Sequence, residues 1–116
     1  MSERQARPGA GRLLMPGLSV GTGVIRDTVR LATLEVPGVL RVGRGGPAWR
    51  DALGGNPVHV RVRDGRVHVT VWLVARPRQR LVPLTAQVRA AIAAAVERLL
   101  GMELGGVTVL VDGTGA

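Results

Sequence analysis

Residues 58–74 hold the strongest constraint in the chain. Val58-His59-Val60-Arg61-Val62-Arg63 alternates apolar and polar, Asp64-Gly65 follows, and Arg66-Val67-His68-Val69-Thr70-Val71-Trp72-Leu73-Val74 alternates again. Alternation with period two is what a strand with one buried face requires, and Asp-Gly accepts the positive φ angles of a two-residue hairpin turn. The turn fixes the register. Arg63 should face Arg66, Arg61 should face His68, and His59 should face Thr70. Val58, Val60, Val62, Val67, Val69, Val71 and Leu73 then share the core face. His59, Arg61, Arg63, Arg66, His68, Thr70 and Trp72 share the other.

The remaining segments arrange themselves around this hairpin. Leu18-Ser19-Val20 alternates as a short strand, and Thr22 offers a hydroxyl to cap the helix that follows. Over residues 24–36, Val24, Ile25, Thr28, Val29, Leu31, Ala32 and Val36 fall on one helical arc, with Arg26, Asp27, Arg30 and Thr33 opposite. Pro37-Gly38 stops that helix, and residues 39–44 alternate as a second strand. Residues 43–57 form a Gly- and Pro-rich loop with room for one helical turn at Ala48-Trp49-Arg50-Asp51-Ala52-Leu53. Pro83 suits the first turn of a long helix reaching about Leu100, with Gly101 as its cap. Val88, Ile92, Ala95, Val96 and Leu99 make its apolar stripe. Residues 107–111 read as a last strand.

The order strand, helix, strand, hairpin, helix, strand predicts an α+β two-layer sandwich with two helices on one face of a mixed sheet. Residues 1–16 read as a disordered basic leader, residues 17–113 as a single domain, and residues 114–116 as a tail. A chain of 116 residues has room for one such core.

Composition narrows the chemistry. The chain has no Cys, which removes disulfides, thiolate metal sites and cysteine nucleophiles, and no Phe or Tyr to stack bases. Its 16 basic side chains are all Arg, against 8 acidic ones, for a net charge of +8. Abundant Arg, Ala, Gly, Val and Pro beside absent Lys, Phe and Tyr is the signature of G+C-rich coding. The charge still favours anionic partners. No stretch approaches the ~20 apolar residues of a membrane span, and Pro16, Gly17, Gly21 and Gly23 spoil a signal-peptide core, so a cytoplasmic protein is expected.

The outer hairpin face has two readings. It is either a solvated sheet surface or a basic docking surface of His59, Arg61, Arg63, Arg66, His68 and Trp72, with Trp72 as apolar anchor. His59 and His68 lie diagonally, but Arg61 would repel a cation between them, so no metal is expected. Neither has a serine or carboxylate beside it in sequence to form a nucleophile–base pair. Glu35 is expected to pair with an Arg or reach solvent. Gly43-Arg44-Gly45-Gly46 lacks the context of a phosphate loop. No catalytic or cofactor-binding residue is expected. Nucleic-acid binding is expected only as a non-specific, arginine-driven contact, because no reading motif is present.

Several segments together resemble the bacterial alkaline shock protein family, also called the envelope stress response family. They are Leu18-Ser19-Val20 before Val24-Ile25, Ala32-Thr33-Leu34-Glu35-Val36-Pro37-Gly38-Val39, and the hairpin strands. Ala95-Val96-Glu97, Leu100-Gly101-Met102-Glu103-Leu104 and Val107-Thr108-Val109-Leu110-Val111 complete the set. The resemblance covers residues 18–113. It implies a non-enzymatic cytoplasmic protein linked to alkaline or envelope stress, working by protein–protein contact. The implied contacts are a homo-oligomer or a membrane-anchored partner at the inner face of the cell membrane. Family members commonly have Ser where this chain has Gly21, and many are acidic where this one is basic, so a partner surface cannot be shared unchanged.

Overall fold

The computed structural model describes residues 21–115. The leader and the strand expected at Leu18-Ser19-Val20 lie outside the described residues. Helix α1 spans Thr22–Leu34. Its first turn closes on the Gly21 carbonyl, which accepts from the amides of Val24 at 3.1 Å and Ile25 at 3.2 Å. Gly21 is therefore the cap residue, and no side chain caps the helix. Thr22 already lies inside the first turn, one place too late for its hydroxyl to reach the exposed amides.

The buried stripe of α1 is Ile25, Val29, Ala32 and Thr33. Thr33, expected on the polar side, is fully buried. Its hydroxyl donates to the Val29 carbonyl at 2.8 Å, which satisfies the polar atom inside the core. Val24 and Leu31, expected on the buried arc, are exposed instead.

The sheet is built on one strand. Strands β1 (Val39–Val42), β2 (Val58–Arg63), β3 (Arg66–Ala75) and β4 (Glu103–Thr114) all pair through β3. Strand β1 pairs antiparallel with residues 73–75, β2 antiparallel with residues 66–71, and β4 parallel along both stretches. Two strands cannot hold the same peptide groups, so β1 and β2 share one edge of β3 end to end and β4 holds the other. Trp72 is the junction. Its amide donates to Pro57 and its carbonyl accepts from Gly43, both at 2.9 Å.

The hairpin matches the expected register at each expected pair. Asp64 and Gly65 have φ of 53° and 76°, the positive pair that twists a two-residue turn with the strands. Val58, Val67, Val69, Val71 and Leu73 are buried, but Val62 is 44% exposed because the hairpin tip runs past the helices. Strand β1 is shorter than expected. Strand β4 is longer, since parallel pairing to β3 continues well beyond residues 107–111.

Helix α3 spans Leu81–Ala94 and passes into a π turn over Ala95–Leu99. Leu84, Val88, Ile92, Ala95 and Val96 are buried, while Leu99 is 76% exposed rather than on the core stripe. Gly101 ends the segment at φ 64°, as its capping role requires. Residues of α1, α3 and the inner sheet face form one aliphatic core. The chain is the α+β sandwich expected, two helices on one face of a mixed sheet, with a short α2 (Ala48–Leu53) in the loop between β1 and β2.

Two glycines in and after α1 should respond oppositely to alanine. A Cβ on Gly38 would lie 2.5 Å from Gln79 Oε1 and 2.7 Å from Leu84 Cδ1, while one on Gly23 meets nothing within 4 Å. Gly38→Ala should lower unfolding free energy by about 1–3 kcal/mol through overpacking. Gly23→Ala should raise it by up to about 1 kcal/mol through helix propensity. Urea titration followed by circular dichroism measures both signs.

Candidate functional site

Strand alternation delivers the outer face of the sheet. From β2 come His59, Arg61 and Arg63, and from β3 come Arg66, His68, Thr70 and Trp72. In parallel register β4 adds Gly106 beside His68, Thr108 beside Thr70 and Leu110 beside Trp72. His59, Arg61, His68 and Trp72 come together around a shallow depression shared with Val60, Thr70 and Leu110. Arg63 and Arg66 oppose each other at the turn, outside it.

Beside the depression, His68 packs against a glycine bulge of β4. Register slips by one residue between the pairs Val67–Leu104 and His68–Gly106, leaving Gly105 as the extra residue of a bulge. A Cβ there would lie 2.6 Å from His68 Cε1 and 3.1 Å from Arg66 Cβ. Gly105 therefore seats the His68 imidazole against β4.

Two carboxylates, Glu103 and Asp112, temper the basic face, and a further arginine stacks on it. Arg66 Nε lies 3.3 Å from Glu103 Oε2, so the like-charge meeting of Arg63 and Arg66 is partly offset. Both partners are more than half exposed, and such a pair contributes at most about 1 kcal/mol. The Arg44 guanidinium sits 4.9 Å over the Trp72 ring. Trp72 is half-buried, so the expected apolar anchor presents a guanidinium–indole stack. At the far end of β4, Asp112 Oδ2 accepts from the Gly45 amide at 2.9 Å and lies 3.8 Å from Arg50 Nη2. Arg50 Nη1 also donates to the Gly45 carbonyl at 2.9 Å. These contacts draw the loop carrying α2 over one end of the face.

Arg44, Glu103, Gly105, Leu110 and Asp112 are the contributors that the sequence expectation left out. All but Arg44 come from β4, whose parallel partner no local pattern reveals. The adjacent glycines 105 and 106 inside a strand were the available signal of a bulge. His59 and His68 stand diagonally with Arg61 directly across from His68. Among the described residues no three His, Asp or Glu side chains gather as a metal site.

The seat for His68 has a measurable coupling. Gly105→Ala should destabilise by about 1–3 kcal/mol, and His68→Ala should relieve most of that loss. A double-mutant cycle in denaturant that returned additive effects would show that the imidazole does not rest on Gly105.

No protein-family model matches the chain, and no curated protein matches it. Solved structures do. The manganese form of a MamM CTD variant superposes with a TM-score of 0.58 at 14% identity, covering 80% of this chain and 99% of that one. A histidine-to-alanine MamM CTD variant gives 0.60 at 13%, covering 82% and 100%. The copper form of a third variant gives the same values. At such identity the likeness is one of fold alone.

Proposed function

We propose that the chain is a non-enzymatic protein of the alkaline shock, or envelope stress response, type, acting by protein–protein contact in the cytoplasm near the inner face of the cell membrane. The observation that carries this reading is the outer sheet face. An exposed row of His59, Arg61 and Arg63 borders a shallow depression, beside a β3 strand whose inward face of Val67, Val69, Val71 and Leu73 is buried. A broad, rigid, basic surface suits an acidic protein surface, where charge complementarity sets partner choice and association rate. The alkaline shock type is taken from the resemblance of the sequence segments, and the MamM CTD likeness adds the fold alone. Manganese and copper are named for those MamM domains and are not carried over, because a guanidinium stands across from His68 here.

The partner proposed is an acidic protein, membrane-anchored in the form the resemblance implies. Crosslinking a tagged copy in native cells, beside an Arg61→Glu/Arg63→Glu variant, tests it. The wild-type chain should recover a membrane-associated protein, with recovery falling at least ~10-fold in the variant. Both arginines are exposed, so the melting temperature should move by no more than a few degrees. A diffuse tagged signal with no membrane-protein partner would overturn the reading. Nucleic-acid affinity should fall away by about 0.15 M salt. Affinity retained there and abolished by Arg61→Ala plus Arg63→Ala would install an arginine-driven nucleic-acid module in its place.

A further inference from the structure

The valley between α1 and α3 carries two leucines that the core does not use. Leu31 is 63% exposed and Leu99 76%, and Ala91, Ala94 and Ala95 lie between them. The backbone puts Leu99 there. In a regular helix, position 99 would follow Val88 and Ile92 inward. The π turn Ala95–Leu99 widens the last turn, with the Leu100 amide bonding to the Ala95 carbonyl five residues back at 3.3 Å. Leu99 swings out of the core stripe onto the valley rim. Single π turns inside α-helices recur at functional positions.

The rim is oppositely charged at its two ends. Helices α1 and α3 run antiparallel, since Gly38 after α1 meets Gln79 and Leu84 at the start of α3. Glu35 accordingly shares a hollow with Gln87 and Ala91. Arg98 lies seven residues beyond Ala91, about 10 Å along the axis, at the Thr28 end. Neither Glu35 nor Arg98 has an ion-pair partner among the described residues. A two-fold axis lying in the plane of contact, perpendicular to the valley's length, exchanges its ends. A second copy laid across it sets its Arg98 on this Glu35 and its Glu35 on this Arg98.

We infer that this valley is a self-association face whose occupant is a second copy of the same chain, joined by two reciprocal Glu35–Arg98 pairs over a seam of Leu31, Leu99 and alanine. The seam supplies the adhesion, and the charge pairs select the register against the repulsion of two +8 chains. The inference goes beyond the sheet-face reading and uses none of its residues.

Sedimentation equilibrium of the full chain tests it. Wild type should show a concentration-dependent dimer. Glu35→Arg alone and Arg98→Glu alone each oppose like charges at both contacts and should weaken the dimer at least ~10-fold. Mixed in equal amounts, the two variants should regain wild-type affinity as a heterodimer, because each chain then supplies two charges of one sign. Leu99→Asp should abolish association of wild type and mixture alike. Arg61→Glu/Arg63→Glu should leave it unchanged, which separates failure here from failure of the sheet-face reading. A wild-type chain still monomeric near ~1 mM would overturn the inference and leave the valley to a different protein. A mixture no tighter than its components would overturn it as well.

Discussion

Strand β3 is the constraint on which the rest depends. It gives up peptide groups along both edges, to β1 and β2 on one side and β4 on the other. Its inward residues Val67, Val69, Val71 and Leu73 are at most 2% exposed, and its outward residues are Arg66, His68, Thr70 and Trp72. A slip of one residue would send the charged set into the core, so the burial that stabilises the fold also holds the outer face in register. Trp72 shows how tightly the pieces are joined. Its backbone marks the handover from β1 to β2 while its ring receives Arg44 from the intervening loop.

The absence of Phe and Tyr shapes what such a fold can offer. The core is filled by Val, Ile, Leu and Ala, and both tryptophans stay out of it, Trp49 at 62% exposed. β-Branched side chains pack well on a pleated sheet and leave a flat interior. On the outer face, Gly105 lacks the side chain that would meet His68, which lines the depression there.

The parts legible in the sequence are those whose physics is local. The hairpin could be read residue by residue because alternation and an Asp-Gly turn act within a few positions of each other. The layer arrangement followed from amphipathic spacing. The Glu103 partner of Arg66, the stack of Arg44 on Trp72 and the Asp112 anchor of Gly45 join residues distant in sequence; the first and last depend on a parallel pairing without a turn to announce it, and the stack on the antiparallel pairing of β1 with β3. Thr33 was misplaced because a hydroxyl bonded to the carbonyl four residues back behaves as a core group. Leu99 was misplaced because a 3.6-residue period fails at the π turn. Val62 was misplaced because alternation gives the face of a strand and not how far the helices cover it.

The two faces constrain one another. The basic surface lies on the outer side of the sheet and the α1–α3 valley on the helices behind it, so copies joined through the valley point their basic faces in opposite directions. A two-fold contact of that kind closes on itself and does not extend. On the proposed function, a membrane-held partner would meet one basic face of each pair, and the second face would be turned away. A pair bound at both faces would bridge two partners, with effective concentration set by the rigid sandwich between them. Assembly beyond the pair has to use the sheet side, through those faces or through the outer edge of β4, which pairs with no strand among the described residues.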